Sequence, residues 1–234
     1  MRPGYDGRVT SSFPAAVLWD MDGTLVDTEP YWIAAEAPLV ERFGGTWTHE
    51  QALGVVGLGL DDAARVLQDA GVRMPVPEII DHLTDEVLAQ LREHGVPFRP
   101  GAQELLRGLR DADVPTALVT MSMNRMASEI VSLIDFPAFD VIVAGDDVTR
   151  PKPFPDPYLQ ACETLGVRPA DAIAIEDSPN GLRASLAAGI PSIGVPNVVS
   201  LEGVGAQALW PTLDGRTVDD LAAFHSEHRR ETTA

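Results

Sequence analysis

Positive charge is scarce in this chain of 234 residues: 17 lysines and arginines face 35 aspartates and glutamates, a formal net charge of −18. Such a surface repels phosphate backbones and anionic headgroups, which argues against nucleic-acid and membrane partners. It also sets a condition on any anionic substrate, which would need a bound cation or a local positive group. Cysteine is nearly missing. Cys162 alone rules out an intramolecular disulfide framework and suits a reducing cytoplasm. Its apolar-periodic surroundings read as packing rather than catalysis. No apolar run reaches the ~18 residues a membrane helix needs. The stretch before residue 14 lacks a signal-peptide core and reads as a loose tail. Repeats and low-complexity segments are absent.

What is present is ordinary globular material, 45% apolar and 22% charged, enough for one domain or two small ones. Five short apolar runs read as buried strands: Ala15–Trp19, Thr116–Thr120, Val141–Ala144, Ala172–Ile175 and Ser192–Val195. Helix-like patterns separate the last four, the signature of a parallel sheet. Asp156-Pro157 and Ser178-Pro179 mark helix starts, and Gly166 and Gly189 mark helix ends. Between Trp19 and Thr116 lies far more chain than one crossover needs. Its apolar stripes are helical: Trp32, Ala35, Leu39, Phe43; Ala63, Val66, Leu67, Ala70; Ile79, Ile80, Leu83, Val87, Leu91. Pro38 should kink or shorten the first of these helices. The expected architecture is α/β: a Rossmann-like parallel core over 14–27 and 98–228 flanked by helices, and a helical insertion over 28–97. Residues 1–13 would form a tail, Val218 to Phe224 a last helix, and Arg229–Ala234 a frayed end.

Chemistry concentrates where these strands should end. Asp20-Met21-Asp22-Gly23-Thr24 follows the first run, and ligands of open α/β sheets bind beyond strand carboxyl ends. Paired carboxylates there can hold a divalent cation, attack, or move a proton; the alternative is an acidic turn, Asp-Gly being a common turn dipeptide. Thr120 ends the second run and could hold phosphate oxygens with nearby backbone amides, or could simply close a strand. Lys152 stands among four prolines, 151, 153, 155 and 157, which would present a cation with little freedom; a solvated lysine is the plainer reading. Glu176-Asp177-Ser178 follows the fourth run and suits either metal ligation or helix capping.

Taken together, the Asp20/Asp22 motif, Thr120, Lys152 and the Glu176-Asp177 pair resemble, in order and strand context, the four motifs of the haloacid dehalogenase superfamily. The insertion is similar to that family's C1-type cap. The resemblance spans about 14–225 and implies a phosphatase. Asp20 would be the nucleophile that forms an aspartyl-phosphate, and Asp22 the general acid and then base. Mg²⁺ would sit on the Asp20 carboxylate, the Asp22 carbonyl and Asp177, with Glu176 assisting directly or through water. Thr120, the Met121 amide and Lys152 would hold the phosphoryl group.

Within the superfamily the chain is most similar to β-phosphoglucomutases and small sugar-phosphate phosphatases. Where the mutase carries a histidine this chain has Trp32, and where it has a lysine the chain has Met123, although Asn124 is retained. The loop Gly54–Asp61 offers no arginine for a second phosphate. These departures imply hydrolysis of small sugar or polyol phosphates; a mutase and a catalytically dormant binding protein are the alternatives. The first loop of the insertion, about Gly44–Leu60, would select substrate, through Trp47 and His49, with Asn124 a further candidate. His82, His94, His225 and His228 read as surface positions. The expected partner is a small phosphorylated metabolite, and the expected state a monomer or a dimer.

Overall fold

The computed structural model describes residues 13–228. The expected tail and frayed end fall outside them, apart from Phe13. Among the described residues, six strands form one parallel sheet: β1 (Ala16–Trp19), β2 (Thr116–Val119), β3 (Val141–Val143), β4 (Ala172–Glu176), β5 (Ser192–Gly194) and β6 (Ala208–Leu209). Their spatial order is β3-β2-β1-β4-β5-β6. The chain therefore builds outward from β1 on one side and resumes on β1's other side with β4. That reversal places a topological switch point at the carboxyl end of β1. The registers Trp19↔Leu118 and Trp19↔Ile175 bring the ends of β1, β2 and β4 level. Strand β6 escaped sequence reading because two half-exposed residues carry no periodic signal.

Both faces of the sheet are buried, and β1 shows how. Val17 and Trp19 enter one apolar cluster while Ala16 and Leu18 enter the other, as alternation along a strand requires. The Val17 face meets large side chains: Leu105, Leu106 and Leu109 of α5 (Ala102–Asp111), Ile130 of α6 (Asn124–Ser132), and Leu221 and Phe224 of α9 (Val218–His228). The opposite face is alanine-rich, Ala117, Ala172 and Ala174, and takes α7 (Asp156–Leu165) and α8 (Pro179–Ala187) through Tyr158, Ala161, Cys162 and Ala184. Small residues there let those helices approach closely. His225 is buried at 3% exposure rather than lying on the surface, because its helix turns that face to the sheet.

Four helices lie between β1 and β2: α1 (Glu29–Arg42), α2 (His49–Val55), α3 (Leu60–Asp69) and α4 (Val76–His94). Helices α1 and α3 both pack on α4, burying Leu39, Leu67, Ile79, Leu83, Val87 and Leu91. Pro38 does not cut α1 short: the helix runs through it to Arg42. The proline is exposed, as is Ala34 one turn earlier, whose carbonyl loses the Pro38 partner. Water can serve that carbonyl, while buried Leu39 and Val40 hold the helix beyond the proline. The two connections to the sheet run side by side, with Asp27 N–H donating to the Pro97 carbonyl and Arg99 N–H to that of Leu25. Helix α4 is tied to α6 on the outside by Arg125 with Asp81 and Asp85, and by Arg92 with Glu129.

Candidate active site

Strand β1 delivers Asp20 at its carboxyl end, where the Asp20 N–H still donates to the Ile175 carbonyl at 3.0 Å. The chain then turns tightly: the N–H groups of Leu25 and Val26 both donate to the Met21 carbonyl, and Gly23 N–H to that of Val26. Gly23 is required twice over. Its φ is +86°, and a Cβ there would stand 2.0 Å from Asp177 Oδ2. The turn thus brings Asp20, just past the end of β1, against the Glu176-Asp177 pair at the end of β4.

Lys152 stands at the centre. It is the chain's only lysine and is 6% exposed. Its Nζ donates to Asp20 Oδ1 at 2.7 Å, Glu176 Oε1 at 2.6 Å and the Val119 carbonyl at 2.9 Å. All three ammonium protons are thereby used. Glu176 is equally occupied: Tyr158 donates to Oε1 at 2.7 Å and the Ser178 hydroxyl to Oε2 at 3.2 Å. Ser178 also caps α8, accepting from Gly181 N–H at 3.0 Å. Burial works to lower the Lys152 pKa, but Asp20 and Glu176 outweigh it and hold the ammonium charged. Asp20 is pushed up to about 7, first by burial and then by the Glu176 charge, against the pull of Lys152. Asp177 is raised well above the usual carboxylate range, by burial and then by Asp20 and Glu176.

Asp22 faces the other way, toward α1 and the loop after β2. Thr28 donates to its Oδ1, with the Trp32 indole N–H at 3.4 Å. Ser122 donates to Oδ2 at 2.6 Å and Thr120 at 3.3 Å, while Thr120 Oγ1 accepts from Ser122 N–H at 3.0 Å. A cleft opens above these groups between the sheet and the inserted helices. Its floor is Asp20, Asp22, Thr120, Met121, Ser122, Lys152 and Asp177. Its roof is Glu29, Trp32 and Glu36 of α1, Val55 to Leu60, Ala63 and Leu83. Asn180 Nδ2 donates to the Gly57 carbonyl at 3.1 Å, closing roof onto floor.

The arrangement and the sequence point to one family. The chain matches the family profile for haloacid dehalogenase-like hydrolase over residues 17–195. It belongs to this family. Among haloacid dehalogenase-like relatives, it is 30% identical to the phosphorylated carbohydrates phosphatase of Thermotoga maritima, over 76% of this chain and 83% of that one. It is likewise 30% identical to hexitol phosphatase B of Escherichia coli K12, over 77% and 83%. The crystal structure of CbbY from Rhodobacter sphaeroides in complex with phosphate is 31% identical, with a TM-score of 0.78 over 86% of this chain and 96% of that chain.

A divalent cation fits the buried acids of this family member. Oxygens of Asp20, Glu176 and Asp177 all lie within 4.8 Å of one another. Against one ammonium, three carboxylates leave an excess of two negative charges, and Asp20 Oδ2 is buried with no partner. Both Glu176 oxygens are already engaged, so Asp20 and Asp177 are the freer ligands.

Three expected substrate-selecting residues do not line the cleft. Trp47 is half-buried and donates its indole N–H to Glu36 Oε2 at 2.9 Å. His49 is exposed at the start of α2, a helix that was expected to be loop. The Thr48-to-Gln51 capping box that starts α2 is legible as a Thr-x-x-Gln pattern. Asn124 starts α6 and bonds Asp146 and Asp147. Conversely, sequence reading passed over Ser122, Tyr158, Glu29 and Glu36. The available signal for Glu36 was an acid four residues beyond Trp32, on the apolar side of α1.

Proposed function

We propose that this hydrolase of the phosphatase class cleaves small phosphate monoesters, sugar or polyol phosphates, with Mg²⁺ and through an aspartyl-phosphate on Asp20. The observation that carries the reading is the Asp20 carboxylate. One oxygen is fixed by the lone lysine and the other is buried without a partner, at the switch point of the sheet. Asp20, Asp177 and the Asp22 carbonyl would hold the Mg²⁺, with Glu176 behind them. When bound, the ion screens the negative charge that otherwise keeps a carboxylate from a phosphate.

In this reading Asp20 attacks phosphorus, the ester P–O bond breaks, and Asp22 gives its proton to the departing alkoxide. Asp22 then takes a proton from water as that water attacks phosphorus. The bond to Asp20 breaks, freeing inorganic phosphate and the carboxylate. Thr120 and the Met121 amide hold the phosphoryl oxygens, and Lys152 would release one of its three present acceptors to bridge the phosphoryl group and Asp20. Lys152 is the sole basic residue among those lining the cleft, so nothing there grips a second phosphate, which favours hydrolysis over mutase chemistry.

Phosphate release from a panel of sugar and polyol phosphates, with and without Mg²⁺, tests this reading. Turnover should need the ion and vanish in Asp20→Asn; activity persisting in that variant would overturn the proposal. Conversion of β-glucose 1-phosphate to glucose 6-phosphate without phosphate release, primed by the 1,6-bisphosphate, would indicate the mutase instead.

A further inference from the structure

Helix α1 puts two carboxylates into the roof of the cleft. Glu29, Trp32 and Glu36 follow the i, i+3, i+7 spacing that brings residues to one helix face, and all three line the cleft. The two acids are at different depths. Glu29 feels the charges of Asp22 and Asp20, whereas Glu36 stands seven residues further on, about 10 Å along the helix axis. A leaving group anchored by its phosphate on the floor would pass Glu29 and reach toward Glu36.

Neither carboxylate is a solvated surface charge. Glu36 is 5% exposed and Glu29 half-buried, and the cleft they line also holds Trp32, Leu60, Ala63 and Leu83. Trp47 fixes its Oε2, but among the described residues nothing donates to its Oε1 or to Glu29. A tryptophan N–H needs only a neutral acceptor, so the Trp47 contact does not explain a buried acid. Buried carboxylates ordinarily have a cation, and the cleft's one ammonium is spent on Asp20, Glu176 and the Val119 carbonyl. Burial and neighbouring carboxylates push Glu29 up to about 8, and burial pushes Glu36 up to about 7. A positive ligand group would relieve both.

We infer that Glu29 and Glu36 form a subsite for an ammonium group on the leaving alcohol, so that the enzyme prefers aminated sugar or polyol phosphates to neutral ones and rejects those bearing a second anion. The inference rests on the phosphatase reading above and specifies its substrate class. Glu36 is the distal contact, held in place by Trp47, and Glu29 the proximal one.

Three esters of matched size test it: the 6-phosphates of 2-amino-2-deoxyglucose, glucose and gluconate, compared by kcat/KM at pH 7 with Mg²⁺. The expected order is amine, hydroxyl, carboxylate. The amine should lead the hydroxyl by about ten- to a hundredfold, the range for a hydrogen bond to a charged group. Glu36→Gln keeps an acceptor for Trp47 and should shrink the amine-to-hydroxyl ratio to within a few-fold of one. Leu58→Arg, on the half-exposed loop over the cleft, should shrink it independently and raise the carboxylate ester. Ratios taken within one variant cancel any general loss of active protein. Hydrolysis of all three without this order, or an amine preference untouched by both variants, overturns the inference and leaves the phosphatase reading standing. No hydrolysis of any ester in a full panel overturns both.

Discussion

Lys152 Nζ lies 2.7 Å from Asp20 Oδ1, across 132 residues of chain. It is the only lysine in the sequence, so no neighbouring lysine can substitute for it.

Replacing it with methionine strands Asp20 and Glu176 as buried acids. We expect Lys152→Met to lower activity by about a thousandfold or more, as loss of charge stabilisation at a phosphoryl group does. Urea unfolding at pH 8 should show a loss of about 3–5 kcal/mol, the cost of breaking a buried ion pair. The deficit should narrow at pH 5, where Asp20, already pushed up by burial and by Glu176 and without Lys152 to lower it, takes up a proton.

Gly23→Ala attacks the metal pocket without removing a ligand. The new methyl would meet Asp177 Oδ2 at 2.0 Å from a backbone at φ +86°. Left-handed backbone alone costs ~1–2 kcal/mol, and Asp177 must also move. Mg²⁺ should then stabilise the variant far less than the wild type in thermal melts, and phosphate release should fall at least tenfold. Wild-type stabilisation by Mg²⁺ in Gly23→Ala would refute this account of the glycine.

Stability should depend on pH through Glu36. Unfolded, the group titrates in the ordinary glutamate range; folded, burial raises it to about 7. Between those values the folded state binds more protons, so stability falls as pH rises. The contribution is complete below the unfolded pKa and lost as pH passes through about 7. Without Mg²⁺, we expect an unfolding free energy that declines from pH 5 to pH 8 in urea titrations, and Glu36→Gln should flatten that decline by an amount of order 1–3 kcal/mol.

Asn180→Ala removes the hydrogen bond from α8 to the Gly57 carbonyl, which joins roof to floor. One neutral hydrogen bond is worth about 0.5–1.5 kcal/mol. KM should rise a few-fold while kcat changes little, because Asn180 lies away from Asp20 and Asp22 in the network. A large fall in kcat at unchanged KM would contradict this role.

Much of this protein was readable before folding was considered. The five principal strands are short apolar runs bounded by turn residues, and burial on both faces of a parallel sheet leaves that pattern in any such chain. The helices between β1 and β2 show as period-3.6 stripes. Reading failed where an element was too short to show a period, as in strand β6. Helix α2 announces itself only by the Thr48/Gln51 cap. Pro38 argued for a kinked or shortened helix, and with Leu39 and Val40 buried beyond it the helix was not shortened. Trp47, His49 and Asn124 were candidates by residue type and segment, and neither says which way a side chain turns.

The sequence by itself determined the order of the chemistry: two acids after one strand, a hydroxyl after the next, a lysine among prolines, and an acid pair after the fourth. Each is local, because a strand end presents whichever residues follow it. Only the tertiary structure decided their meeting. The β3-β2-β1-β4 order and level registers bring Thr120, Asp20 and Glu176 together, so that Lys152 can bond two acids at once. Tertiary packing also turned Glu36 inward against Trp47. Periodicity reports which helix face is buried, but not that a carboxylate on it lacks a cation, since that depends on side chains from segments far apart in the chain.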